Sequence, residues 1–479
     1  MKRTGKIAAG LIALVAAASF AVSCAGGAKT GQAGFESSYD VVIIGAGGAG
    51  LSAAIAAKEA GASVVVFEKM AMPGGNTIRA TGGINGAGTE YQARAGITDS
   101  PDLFFSDTMT GGGNINDRAL VRLLAEKSAS SVAWLSEMGA DLSDVGLMGG
   151  ASVRRTHRPT GGGMVGPEIT KTLERQVIEV KGIPLVLQAN VTNIIVQDGR
   201  VTGVELRYNN RNHTVRAKAV ILATGGFGAN NDMAAALVPS LRGFATTNQP
   251  GATGEGISMA QGIGAALVDM EQIQTHPTHA PDREMITEAV RGNGAIMVNR
   301  AGRRFVDEMA TRDVVSAAIL AQEGASAFLL FDDSVRRSLA AIESYVRGGI
   351  VLEAPSPEEL AALMGGVSGD TLAATVAAYN QAAASGRDSE FARANMPRSL
   401  SAAPFYAIEV VPAIHHTMGG VKIDTEARVI STDGSAIPAF YAAGEVAGGI
   451  HGTNRLGGNA LADIITFGRI AGTNAAAER

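Results

Sequence analysis

The segment from Tyr39 to Glu68 constrains this chain more than any other. Tyr39-Asp40-Val41-Val42-Ile43-Ile44 is a nearly unbroken apolar, β-branched run, which predicts a strand buried on both faces. Gly45-Ala46-Gly47-Gly48-Ala49-Gly50 turns the chain, and Leu51 to Glu59 carries a helical pattern that stops at Gly61. Ser63-Val64-Val65-Val66-Phe67-Glu68 then predicts a second strand. A G-x-G-x-x-G spacing alone is weak. Here strand, glycine turn, helix, strand and an acid eighteen residues after Gly50 follow in the order of a dinucleotide-binding βαβ unit. Gly45, Gly47, Gly48 and Gly50 let backbone approach a pyrophosphate, and the helix N-terminus supplies N–H donors and positive dipole. Glu68 is placed to accept from a ribose hydroxyl; its bland alternative is a solvated acid at a strand end.

The chain has 479 residues, 46% hydrophobic and 18% charged, enough for two sizeable domains. Its net charge of −5 gives no sign of a nucleic-acid partner. Lys2, Arg3 and Lys6 precede about sixteen apolar or small residues ending at Val22, too short a run for a firm membrane span. Residues 1–24 therefore predict an export signal. Cys24, the only cysteine, follows Ala21-Val22-Ser23 where a lipoprotein signal places its lipidated residue; the alternative is a plain signal with Cys24 incidental. The expected location is periplasmic, or anchored by lipid on the outer side of the cytoplasmic membrane. One cysteine leaves no disulfide, iron–sulfur cluster or Cys-x-x-Cys-His haem site, and no metal site is expected.

Residues 25–38 are small and polar and predict a flexible linker. Strands are expected from Pro184-Leu185-Val186-Leu187 through Val204-Glu205-Leu206, and Val220 to Gly226 repeats the strand-then-glycine pattern. From about Glu271 to Ala413 the composition shifts toward helical runs, Val314 to Glu323 and Pro357 to Ala384 among them, with few strands. Ala439 to Glu445 and a helix from Asn459 return to the first pattern. This predicts one domain made of 39–270 and 415–479, interrupted by a second at 271–414, with a hinge near Met270 and Ile414.

The second cluster of signals is polar. Thr287-Glu288-Ala289-Val290-Arg291-Gly292, Ala310-Thr311-Arg312-Asp313, His276-Pro277-Thr278, His415-His416-Thr417-Met418-Gly419-Gly420 and His451-Gly452-Thr453-Asn454-Arg455 supply cations and hydrogen-bond donors. Such a set suits a small dicarboxylate beside a redox cofactor, because arginine binds carboxylate through two N–H groups and histidine or threonine through one bond. With Glu68-Lys69, Gly74-Gly75-Asn76, Thr81-Gly82-Gly83, Ala223-Thr224-Gly225-Gly226 and Ala443-Gly444-Glu445, the chain resembles the two-dinucleotide-binding flavoproteins. Within these it resembles the fumarate reductase and succinate dehydrogenase flavoprotein family, and most of all its soluble, exported flavocytochrome c type, over about Tyr39 to Ala475. His157-Arg158-Pro159-Thr160-Gly161-Gly162 shares that phrasing.

The resemblance implies an α/β fold: a Rossmann-like FAD domain with an inserted α+β capping, or clamp, domain. It implies FAD held by the glycines above and by Glu68, Lys69, Gly75, Asn76, Thr81, Gly82, Gly83, Thr224, Gly225, Gly226, His416, Gly444, Glu445, Asn459, Ala460 and Leu461. Membrane-bound relatives attach FAD through a histidine where this chain has Asn76, so noncovalent flavin is expected. Flavocytochromes carry a haem domain that this sequence lacks, so an external donor, a cytochrome or an FMN-bearing protein, is expected. By the same resemblance His415 and Arg455 hold one carboxylate of fumarate, His276 and Thr287 the other, and Met148 and Met285 press on the substrate. Flavin N5 gives a hydride, Arg312 gives the proton, and Arg291 with Glu288 restores it. The bland readings are a structural Glu–Arg pair, a satisfied loop histidine at His276 and plain core methionines. His279 reads as surface loop, while His157 and Arg158 read either as flavin-pocket walls or as structural loop residues. Alternatives are reduction of another enoate (urocanate, methacrylate or a cinnamate) or a non-catalytic flavin electron-transfer lipoprotein.

Overall fold

Strand β1 (Ser38–Ile44) takes the central place its apolar run predicts, with Val41, Val42 and Ile43 fully buried. A computed structural model describes residues 34–281 and 283–478; the signal, Cys24 and linker residues 25–33 lie outside the described residues. β1 leads through Gly45–Gly47 into helix α1 (Gly48–Glu59) and strand β2 (Val64–Phe67), which pairs parallel to β1 with Val41 opposite Val64. Strands β3 (Leu185–Val186), β4 (Asn190–Gln197), β5 (Arg200–Tyr208) and β6 (Arg211–Leu222) follow. β6 runs parallel to β1 on its other side, with β4 and β5 as an antiparallel extension.

Five later strands form a separate, wholly antiparallel sheet. Its members are β7 (Ile273–His279), β8 (Ile296–Val298), β9 (Ala327–Asp332), β10 (Leu352–Ala354) and β11 (Phe405–Thr417). They lie in the order β7-β11-β9-β8, with β10 also on β11. The chain then returns to the first sheet through β12 (Arg428–Ile430) and β13 (Ala436–Ala442), which gives β12-β13-β6-β1-β2-β3, and ends in helix α2 (Asn459–Ala476) against α1. Each sheet has its own apolar core: one around Val41, Val65, Ile221 and Phe440, the other around Ile296, Phe328, Leu330, Tyr345 and Ile408. Residues from Phe35 onward make one compact unit. No helix among the described residues is long and apolar enough to cross a membrane.

Two expectations for the middle of the chain are corrected. Few strands were expected there, yet five form. β9 is buried at all six positions, so it lacks the alternation that marks a strand, and β8 and β10 span three residues each. The single helical run from Pro357 to Ala384 is two helices, Pro357–Leu363 and Gly369–Ser385. Gly365 and Gly366 adopt φ of 70° and 92° between them, and the Ser368 hydroxyl caps the second helix by accepting from Thr371 N.

Candidate active site

The carboxyl ends of β1, β2 and β6 open into one long cavity that continues to the antiparallel sheet. Its first half is a backbone cradle. Gly45 has φ +104°, and a Cβ there would meet Ala223 O at 2.4 Å; a Cβ on Gly50 would meet Gly45 O at 1.9 Å. Strand, turn and helix can close this tightly only without side chains. No side chain caps α1 at Gly47, which leaves the helix N-terminus to the cavity, and Gly48 N donates to Thr77 Oγ1 at 3.0 Å. Glu68 follows β2 directly with its carboxylate at the wall, accepting from Ala46 N and Met70 N, both at 2.8 Å. Lys69 Nζ donates to Glu255 Oε2 at 2.9 Å and Thr253 Oγ1 at 2.8 Å.

Gly45, Gly47, Gly48, Glu68, Lys69, Gly75, Asn76, Thr81, Gly82, Gly83, Thr224, Gly225, His416, Glu445, Ala460 and Leu461 all line the cavity. Gly50, Gly226, Gly444 and Asn459 do not; they shape its wall from behind. A Cβ on Gly226 would meet Thr417 Oγ1 at 2.0 Å and one on Gly444 would meet Ala49 Cβ at 2.9 Å, while Asn459 Oδ1 accepts from Asn85 Nδ2 at 2.7 Å. Thr224 Oγ1 and His416 Nε2 are buried with no hydrogen-bond partner among the described residues. An open helix N-terminus, a glycine cradle and unfilled polar atoms on its wall fit a bound dinucleotide.

At the other end His276, Thr287, Glu288, Arg312, His415, Arg455, Met148 and Met285 face the same space. β7 supplies His276 and β11 supplies His415, their rings 4.9 Å apart. Arg312 opens the helix Arg312–Leu320, and Arg455 sits in the turn before α2. Arg312 Nε donates to Glu288 Oε2 at 2.7 Å, and Gly149 N donates to Glu288 Oε1 at 2.5 Å. Arg291 is behind this pair rather than on the cavity wall, with Nη2 3.7 Å from Glu288 Oε2. Thr278 N donates to His276 Nδ1 at 3.3 Å, which assigns the neutral ring's proton to Nε2; that atom has no hydrogen-bond partner among the described residues.

Electrostatics sort these groups. Burial, then the charges of Arg312, Arg291 and Arg455, hold His276 well below the ordinary histidine value. Burial and Arg312 do the same to His415, so both rings are neutral. Burial works to raise the Glu288 carboxyl, but Arg312 and Arg291 prevail and hold it at about 2. Burial first, then Arg312, pulls the Arg455 guanidinium down to about 9. Burial also raises the Glu445 carboxyl. Among the described residues this end of the cavity sets two wall arginines, Arg312 and Arg455, with Arg291 behind them, against the ionised carboxylate of Glu288. A small anion is what this imbalance favours.

Several residues were not singled out from sequence. Gln274 Oε1 accepts from Arg312 Nη1 at 3.2 Å, while its Nε2 donates to Asn454 Oδ1 at 2.6 Å and Arg455 O at 2.8 Å, tying the two arginines together. Its position two residues before His276 on one strand was the available signal. Thr247 Oγ1 meets His415 Nδ1 at 2.6 Å, and Tyr345 Oη accepts from Thr287 N at 2.9 Å. His279, read as surface loop, is instead buried on the cavity wall because it ends β7 opposite Val411. His157 lies off the cavity, between Thr89 Oγ1 at 2.7 Å and Ile84 O at 3.3 Å, and Arg158 pairs with Asp144 at 3.1 Å.

Residues 40–461 match the family described as FAD binding domain. The fumarate reductase (cytochrome) of Shewanella frigidimarina is 53% identical over 442 residues, covering 91% of this chain and 77% of that protein. The NADH:fumarate oxidoreductase of Klebsiella pneumoniae (strain 342) is 45% identical, covering 92% of this chain and 48% of that protein. The open conformation of a flavocytochrome c3 fumarate reductase superposes with a TM-score of 0.76 at 43% identity, over 92% of this chain and 79% of that one. The match spans cradle and arginine cluster alike, and the chain belongs to the fumarate reductase flavoprotein family of FAD-dependent oxidoreductases.

Proposed function

We propose that the protein reduces fumarate to succinate with FAD bound noncovalently and electrons taken from an external carrier. The observation that carries this is the excess of buried arginine over carboxylate beside two neutral histidines. The relatives named for fumarate support the same reading. His415 and Arg455 hold one carboxylate; His276, through its unpartnered Nε2, and Thr287 hold the other. Met148 and Met285 close the apolar side. Two clamped carboxylates withdraw electron density from the double bond and stabilise the carbanion-like transition state. FAD, when bound, supplies the hydride to one alkene carbon. Arg312 supplies the proton to the other, and Glu288 with Arg291 returns it. A guanidinium acid, with a free pKa above ~12, works only if its proton is replaced as it leaves. The 2.7 Å contact with Glu288 is short enough for that transfer.

Residues 39–270 with 415–479 form the flavin part, and 271–414 the part that caps the substrate; the two separate apolar cores support this division. Asn76 at the position of the flavin-linking histidine supports noncovalent binding: its Nδ2 donates to Asn248 Oδ1 at 2.5 Å. Residues 1–24 act as an export signal, and absence of fatty-acid label on Cys24 would argue against the lipid anchor. The direct test loads the protein lacking residues 1–33 with FAD and follows oxidation of reduced methyl viologen. Fumarate-dependent oxidation, with all flavin released into the supernatant on acid precipitation, is expected. No response to fumarate would overturn the activity, and flavin retained on the precipitate would overturn noncovalent binding.

A further inference from the structure

The polar chain does not end at Arg291. Behind it Glu308 is fully buried, and its carboxylate collects four donors. Oε1 accepts from Arg304 Nε at 2.8 Å and Met297 N at 3.1 Å; Oε2 accepts from Arg304 Nη2 at 2.7 Å and Arg393 Nη1 at 3.0 Å. Arg304 Nη2 also donates to Asp388 Oδ2 at 2.9 Å. Two carboxylates thus balance two arginines, all four side chains at most 3% exposed. On the Arg291 guanidinium the charges of Glu308 and Arg393 act with opposite signs. As a source of stability the cluster is a weak choice, since apolar packing does as well without the desolvation cost.

The cluster grips Arg291 at two points. Arg393 Nη2 donates to the Arg291 carbonyl at 2.8 Å, and Arg291 Nη1 donates to the Glu308 carbonyl at 2.6 Å. With backbone and Nη1 both fixed, Arg291 keeps Nη2 near Glu288 and has no hydrogen-bond partner for Nε or Nη2 among the described residues. We propose that Arg393 and Glu308 are positioning residues for proton delivery, holding Arg291 so that its free N–H groups serve Glu288. This rests on the reading of Arg312, Glu288 and Arg291 as the relay. A merely structural cluster would affect turnover independently of Arg291; a positioning cluster acts through it.

The test is a double-mutant cycle in the FAD-loaded protein, with fumarate turnover measured in H2O and D2O. Arg393→Lys is expected to lower kcat about 10-fold, leave KM within about twofold and raise the solvent isotope effect on kcat. In an Arg291→Ala background the same change should add less than about twofold. An equal loss in both backgrounds, an unchanged isotope effect, or no loss from Arg393→Lys would overturn the proposal. If Arg393→Lys fails to retain flavin, Asp388→Asn at the cluster's edge takes its place, with a loss of about threefold and the same dependence on Arg291. Failure of the relay itself reads differently: Arg291→Ala alone would then leave kcat unchanged.

Discussion

Arg312 touches Glu288 through one nitrogen and Gln274 through another, so its orientation is fixed from two sides before any substrate arrives. Arg312→Ala should retain FAD, whose cradle lies at the other end of the cavity, yet lose turnover by roughly 10³-fold, within the range for a positioned acid. Near-normal turnover of that variant, measured with its flavin content, would remove Arg312 from the chemistry. Charged and histidine side chains in glycine-rich turns were conspicuous from sequence, while lining residues such as Thr287, Met148, Met285 and Leu461 were singled out only through the family resemblance. Gln274 and Thr247 escaped because a neutral polar residue in a strand or turn carries no mark of its own and neither lies in a motif that the resemblance covers. Their roles exist only once the fold brings Arg312, Arg455 and His415 beside them.

The element carrying His157 shows what burial adds to a short strand. Thr156–Arg158 pairs between Ile84–Asn85 and Asp144–Gly146, and burial lowers the His157 ring to about 4. The unfolded chain takes up that proton near 6.5 and the folded protein does not. The resulting stability is therefore complete above pH 6.5 and is lost as pH falls from there toward 4, a difference of roughly 3 kcal/mol. His276, His415 and His416 act with the same sign, so His157 must be isolated by difference. Urea unfolding of His157→Gln at several pH values should show a shallower loss across that window; an unchanged slope would mean the ring is not what titrates. At this scale the βαβ unit was legible because strand, turn, helix and acid agreed locally. The antiparallel sheet was not, because its strands are short or uniformly buried and are defined by partners far along the chain, such as Ala327 opposite Val410.

Over the whole molecule, the parallel sheet brings glycine turns to one end of a cavity and the antiparallel sheet brings His276 and His415 to the other. That the two halves serve one cavity was legible only through the resemblance, since nothing local in the sequence places Gly45 and Arg312 in the same space. Under the proposed function the cationic end holds two carboxylates. The decisive experiment compares kcat/KM of the FAD-loaded protein for fumarate, urocanate, methacrylate and a cinnamate, with reduced methyl viologen as donor. A preference for fumarate of at least about 10²-fold is predicted, since a monocarboxylate leaves the buried donors assigned to the second carboxylate, His276 and Thr287, unpaired. Equal or better turnover of a monocarboxylate would contradict the assignment of that second subsite.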